Sequence, residues 1–399
     1  MNDRNVLISG AGIAGPALAY WLRRYGFHPT VVERAPGQRP GGQAVDVRGA
    51  SRRVVDRMGL TTRIRAECVQ AHGLAYVSAD GTYQARMPVH VFDGEGAVAD
   101  LEIARGDLAR LLMEETRADA EYLFDDSIAA LAETGDGVRV TFERSAPRVF
   151  DLVVGADGAH SRVRALAFGP ESDFVRPMGA YLAYFSTRHH DDEGWFELHN
   201  APGGRLVGTR PDRWGHRTAL FSFRSPPLDL DRRDVAGQQR VLAERFADVG
   251  WRARELLAAM PDAPDFYFDG YGQVRMDRWS RGRVVLLGDA AWCPSPLTGQ
   301  GTSLSLVGAY VLAGELAAAG GDHLVAFARY EAALREHVER CQRLPGGGIS
   351  GFLPAGRTAI WLRDRSVRAI TSRPLRRLAA KAFFATADGL TLREYAPAR

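Results

Sequence analysis

Close to the N-terminus three glycines stand in the order Gly10-Ala11-Gly12-Ile13-Ala14-Gly15. The first permits a tight turn, the second lets a diphosphate approach bare backbone, and the third lets the following helix close on its strand. An apolar run over residues 5–9 precedes them, and residues 13–25 have helical spacing up to Gly26. A diphosphate held there would meet a helix N-terminus, whose amides and dipole favour negative charge. Glu33 closes the next predicted strand, 18 residues beyond Gly15. It can accept a hydrogen bond from a ribose 2′-OH and repels a 2′-phosphate. Together these features point to a dinucleotide, either NAD or FAD.

Two later runs separate the two cofactors. Asp151-Leu152-Val153-Val154-Gly155-Ala156-Asp157-Gly158-Ala159-His160-Ser161-Arg162-Val163-Arg164 reads as a strand, a Gly-Ala-Asp-Gly turn and a polar helix start. Gly288-Asp289-Ala290-Ala291, followed by Pro294, Pro296 and Gly299-Gln300-Gly301-Thr302, reads as a strand end, an acidic turn and a Gly/Pro loop that opens a helix. Asp289 can accept from a ribityl hydroxyl. The amides from Gly299 to Thr302 can stabilise negative charge on the N1–C2=O edge of a reduced flavin.

Composition excludes other chemistry. The 399 residues carry 51 Lys+Arg against 48 Asp+Glu, a net charge of +3, with no basic patch of the kind nucleic acid requires. The only lysine is Lys381, outside any phosphate-loop or Schiff-base motif. Cys68, Cys293 and Cys341 are too few and too far apart for a disulfide framework or zinc site, which fits a reducing cytoplasm. Residues 6–22 are apolar enough to imitate a signal peptide, but the glycines and Pro16 interrupt them, so a buried strand and helix are expected. No stable membrane insertion is expected.

The elements that position these residues follow from periodicity. A βαβ unit opens the chain, and residues 34–49 read as a loop. A helix is expected over 50–58, stopped by Gly59. Segments 72–78 and 82–87 form a hairpin around Asp80-Gly81. Residues 105–117 are helical, and 137–143 and 148–154 are strands. From 172 to 275 strands rich in aromatics prevail, with one helix near 235–247. A buried strand at 283–288 leads to a helix at 302–318. From 322 onward the pattern is helical, broken by Gly346-Gly347-Gly348.

Three motifs in this order resemble the FAD-dependent aromatic-hydroxylase family, the monooxygenases with the p-hydroxybenzoate hydroxylase fold. The resemblance spans roughly residues 4–320 and is closest in style to short antibiotic-tailoring and tetracycline-inactivating members. It implies an α/β fold: a Rossmann-like FAD-binding domain interleaved with a smaller β-sheet substrate domain, and a helical C-terminal part. The implied boundaries are 1–171 (with substrate-domain strands near 72–100), 172–277, 278–320 and 321–399. Residues expected at FAD are Gly10, Gly12, Ile13, Ala14, Gly15, Glu33, Arg34, Arg48, Arg105, Asp157, Asp289, Pro296, Gly299, Gly301 and Thr302. In the family an arginine at the position of Arg105 contacts the flavin phosphates or ribityl chain, and Gly41 to Arg48 matches a loop beside the isoalloxazine ring. The sequence departs from the family at Trp292, where His is common, at Pro294-Ser295-Pro296, at Ser303 and at Gly308-Ala309.

The resemblance implies a monooxygenase in which NADPH or NADH reduces non-covalent FAD and O2 adds at flavin C4a. The oxygen then passes to an aromatic or polyketide-like small molecule. No protein nucleophile is required. Tyr184, Arg210 and Phe223 are the expected substrate contacts, with Phe185, Trp195, Phe221 and Tyr267 as further candidates. His189-His190, followed by two aspartates, reads as a solvated turn rather than a metal site. A C-terminal helix around Trp361 is expected to pack on the body rather than on a membrane. Monomer and homodimer both remain open. So do two other readings of the same motifs: an FAD-dependent reductase of isoprenoid double bonds, and a non-redox cyclase that uses the flavin as a scaffold.

Overall fold

The computed structural model describes residues 4–38, 41–92, 98–188, 194–344, 346–372 and 390–396. His189, His190 and Lys381 lie outside the described residues.

The first sheet has six strands in the order Ser280–Arg281, Val284–Leu286, Leu152–Gly155, Asn5–Ser9, His28–Glu33 and Glu121–Phe124. All neighbours are parallel except the Ser280–Arg281 edge. Strands buried on both faces read as unbroken apolar runs, and Val6, Leu7, Ile8, Leu152, Val153 and Val154 are all 0% exposed. The apolar stretch near the N-terminus is therefore sheet and helix core. Register pairs Ser9 with Gly155 and Gly155 with Leu286. The three strands thus end level, and the turns that follow them share one edge of the sheet, the position where open α/β sheets bind ligands.

The second sheet has seven strands: Tyr267–Val274, Val175–Thr187, Arg217–Arg224, Arg205–Pro211, Trp195–Ala201, Gly73–Val77 and Tyr83–Pro88. Its last two strands lie in the chain between strands of the first sheet, so the two sheets are interleaved. Each strand alternates between two faces. One face packs Phe185, Phe221 and Phe223 under the helices Val235–Phe246 and Ala253–Ala259. The other carries Leu182, Leu198, Leu206, Leu220 and Tyr271, with Tyr184, Phe196 and Leu297 packed against them.

Four expectations change. The predicted strand 148–154 is two strands in different sheets. Arg148–Phe150 joins a three-stranded antiparallel sheet and Leu152–Gly155 joins the parallel one. Asp151 marks the break, its carboxylate accepting from the amide of Asn5 at 2.8 Å. The loop 34–49 contains a short strand, Ala44–Asp46, paired with Glu102–Ala104. The helix expected to reach residue 117 ends at Glu114. The helix Ala253–Ala259 has only 7 residues, too few for a periodic signal.

C-terminal helices His323–Cys341, Gly348–Phe352 and Arg357–Thr371 follow as expected. The last packs through Val367 but leaves Trp361 and Leu362 more than half exposed. Among the described residues one helix, Gly301–Ala318, is long and apolar enough to cross a membrane, and it is mostly buried in the protein's own core.

Candidate FAD site

The glycine turn is tight because nothing larger fits. Gly10 has φ +107°, and a Cβ there would lie 2.5 Å from the carbonyl oxygen of Ala156. A Cβ on Gly15 would lie 1.9 Å from the carbonyl oxygen of Gly10. At Gly12 the space opens toward a cation: a Cβ would stand 3.6 Å from an Arg105 guanidinium nitrogen. The helix that follows, Ala14–Arg24, has no side-chain cap and no acidic residue in its first turn. Its free amides, the bare backbone of Gly12 and the exposed Arg105 form an anion cradle.

Glu33 supports this turn. One carboxylate oxygen accepts from the amide of Ala11 at 2.8 Å and the other from the amide of Ala35 at 2.9 Å. A carboxylate has about four acceptor positions, so capacity remains for a ribose hydroxyl. Arg34 lies exposed just beyond the strand end.

Asp157 ties the second turn to the first. It accepts from the Ser161 hydroxyl, from the amide of Val163 at 3.1 Å and from Ser9 Oγ at 3.4 Å. Burial raises its pKa, and these bonds oppose the shift. Arg164, which the sequence analysis did not select, does comparable work. Its side chain is fully buried and donates to the carbonyls of Ala159 and Ala290, the latter at 2.9 Å. It clasps the Asp157 turn to the Asp289 turn. Its place in the motif run was the available signal.

The third turn completes the cleft. Gly288 has φ +66° and packs between Ala14 and Ser305. Asp289 follows at the start of a short helix, and a Cβ on Gly301 would stand 3.5 Å from its Oδ1. Burial pushes its carboxyl pKa up, and Arg105 pulls it back. Pro296–Thr298 forms a single 3-10 turn, Gly299 is left-handed at φ +62°, and the helix Gly301–Ala318 begins without a side-chain cap. The side-chain oxygens of Ser295 and Gln300 are buried and have no partner.

Asp46 and Arg48 form the opposite wall. They pair at 2.7 Å, and a Cβ on Gly299 would lie 3.4 Å from Asp46 Oδ2. The other oxygen of Asp46 is buried without a partner. Asp46 lies within the Gly41 to Arg48 stretch but is not among the residues expected at FAD. Its approach to Gly299 spans more than 250 residues of chain and has no local signature. Gly41 and Gln43 are pinned to the Arg105 helix, their carbonyls accepting from the amides of Gly106 and Arg105 at 2.8 and 3.0 Å.

Of the three expected substrate contacts, two adjoin this cleft. Arg210 stacks over Phe196 at 4.7 Å and pairs with buried Glu102. Burial pushes its pKa down to about 10, with Asp46 and Arg48 also acting on it. Tyr184 lies on the same face, and burial pushes its pKa up to about 12. Phe223 does not adjoin the cleft. It is 0% exposed on the other face and stacks with Tyr181 at 5.7 Å. Phe185 and Phe221 share that core, because alternation sends odd-numbered residues of these strands under the helices. Cys293 is buried and its thiol pKa is raised by burial, as suits a small core residue.

The residues present fit FAD. Two uncapped helix N-termini, one arginine and the half-buried carboxylates of Glu33 and Asp289, with spare acceptor capacity, converge on one cleft.

Comparison with known proteins agrees. Residues 3–323 match the FAD binding domain family. A flavin-dependent monooxygenase of Legionella longbeachae is 39% identical over 343 residues, covering 85% of this chain and 87% of its own. An uncharacterized protein of Mycobacterium tuberculosis is 46% identical over 354 residues, covering 88% and 95%. The crystal structure of tetracycline destructase Tet(51) superposes with a TM-score of 0.82 at 32% identity, covering 98% of this chain and all of that one. The chain thus belongs to the FAD binding domain family, among the flavin-dependent monooxygenases, and is an FAD-dependent oxidoreductase.

Proposed function

We propose that the protein uses NADPH or NADH and O2 to hydroxylate an aromatic or polyketide-like small molecule. The observation that carries this reading is the junction of the FAD cleft with one apolar sheet face. Leu297, from the Pro296–Thr298 turn, packs against the same buried cluster of the second sheet, which includes Leu182, Leu198 and Leu220, as do Tyr184 and Phe196. An aromatic substrate on that face would lie against the loop expected at the flavin ring. Tetracycline destructases and other monooxygenases among the similar proteins favour the same class of chemistry.

FAD, when bound, supplies electron transfer from the nicotinamide to O2 and delivery of one oxygen atom to substrate. The overall balance is S–H + O2 + NAD(P)H + H+ giving S–OH + NAD(P)+ + H2O. The chain's residues do the rest. Gly10, Gly12, Ala14 and Arg105 would hold the diphosphate. Glu33 would accept from the adenosine ribose and Asp289 from the ribityl chain. The uncapped amides of Gly301 and Thr302 would face the negative edge of the reduced ring. Arg210 is a half-buried cation beside the face and would orient a substrate enol, phenol or carboxylate oxygen. Tyr184 and Phe196 would stack on its rings and exclude water.

The test is anaerobic mixing with NADPH or NADH in a stopped-flow instrument, with and without a phenolic or polyketide candidate. Faster bleaching of the bound flavin with substrate, followed by one product oxygen per nicotinamide on admitting air, is expected. A flavin that neither nicotinamide reduces with any candidate present contradicts the proposal and favours a scaffold role.

A further inference from the structure

One imidazole beside the cleft lies between two carboxylates. His160 Nδ1 is 3.0 Å from Glu171 Oε2, and Nε2 is 2.9 Å from Asp269 Oδ2 and 3.1 Å from its Oδ1. An ionised carboxylate only accepts hydrogen bonds. With both carboxylates ionised, both ring nitrogens must carry hydrogen, which makes the side chain an imidazolium. The surroundings agree. Burial works against the charge, but Asp269 and Glu171 outweigh burial and Arg232 together, so the pKa of His160 is raised.

Asp269 has two further partners. Tyr267 donates its hydroxyl hydrogen to Asp269 Oδ2 at 2.8 Å, and the amide of Gly270 donates to Oδ1 at 2.8 Å. Tyr267, Asp269 and Tyr271 alternate onto one face of their strand, and Tyr267 pairs in register with Tyr184. The phenol is 42% exposed. Arg105 and Asp289, the two side chains placed at the diphosphate and ribityl chain, both act electrostatically on its hydroxyl. Its one hydrogen is committed to Asp269. What it presents to the cleft is an acceptor oxygen.

We propose that His160, acting through Asp269, fixes Tyr267 as a hydrogen-bond acceptor for an FAD ribityl hydroxyl, between Arg105 and Asp289. His160 and Asp269 are positioning residues, and Tyr267 touches the cofactor. The proposal rests on FAD occupying the glycine cradle and is independent of which substrate is oxidised.

The arrangement makes FAD affinity depend on pH. A histidine with a raised pKa keeps its bonds at and below its ordinary value near 6.5 and loses them as pH rises through the raised value. On losing its proton His160 can donate to only one carboxylate. Glu171 stays paired with Arg232 at 2.5 Å and has Arg164 at 3.9 Å. Asp269 has no arginine partner among the described residues and loses its cationic neighbour, so the hold on Tyr267 weakens. The charged groups facing this chain are then Glu171, Arg164 and Arg232 on the outer side, and Arg105 and Asp289 on the cleft side.

The test titrates the full chain, stripped of cofactor, with FAD, followed by flavin fluorescence between pH 6 and 9. Wild-type affinity should fall about tenfold across that range, the worth of one hydrogen bond. Tyr267→Phe should bind about tenfold more weakly at pH 6 and show little further pH dependence. His160→Gln should cost about tenfold at pH 6 in the wild-type background but less than about twofold in the Tyr267→Phe background, because both act on one contact. Equal losses in both backgrounds, or wild-type pH dependence retained by Tyr267→Phe, overturns the proposal. Should His160→Gln fail to fold, the pH series on wild type and Tyr267→Phe decides alone.

Discussion

The carboxylate of Asp289 is half-buried beside Gly301, and Arg105 is the positive charge that acts on it most. Removing it deletes the acceptor placed at the ribityl chain. Asp289→Ala should weaken FAD binding by about 1–3 kcal/mol, or roughly 5- to 150-fold in Kd, read by fluorescence titration. Unchanged affinity would remove the proposed ribityl contact. Glu33→Ala should behave differently, because that carboxylate also holds the amides of Ala11 and Ala35. It should lower both FAD affinity and the Tm of the cofactor-free protein, whereas Asp289→Ala should leave that Tm unchanged or raise it by removing a half-buried charge. These roles were legible in the sequence because glycine and carboxylate positions repeat at fixed local distances. Asp46 and Arg164 were not selected. The partners that define them, Gly299 and the Ala290 carbonyl, come from distant turns and meet only in the folded chain.

The turns and strands tolerate little change where backbone meets backbone. In Gly15→Ala the new methyl would stand 1.9 Å from a main-chain oxygen, with no flexible side chain able to yield. The variant should lose FAD binding and unfold at markedly lower temperature. A wild-type melting curve would contradict the cradle geometry. The second sheet shows where periodicity stops informing. Residues 220–223 alternate visibly as Leu, Phe, Ser and Phe, but alternation alone does not say which face meets the cleft. The helices over Phe221 and Phe223 decide it. Phe223→Ala should cost about 3–5 kcal/mol of stability, as a cavity in a packed core does, with KM unchanged where the protein remains folded. Tyr184→Ala should raise KM with a smaller loss of stability. If Phe223→Ala instead shifts KM, the two faces have been assigned the wrong way round.

Across the whole molecule, two interleaved sheets meet where the Pro296–Thr298 turn after the first packs through Leu297 on the apolar face of the second. The βαβ opening, the two later flavin motifs and the α/β class were readable from spacing and resemblance. The division of residues 148–155 between two sheets was not, because a short apolar run carries no mark of which neighbour it will join. In the proposed reaction O2 supplies an atom to the product. Turnover of a phenolic or polyketide candidate under 18O2, beside an anaerobic control, with mass spectrometry of the product, decides the point. One 18O atom per product molecule is expected, and no product without oxygen. A hydrogenated product formed anaerobically, with no label in air, would contradict hydroxylation and identify a reductase.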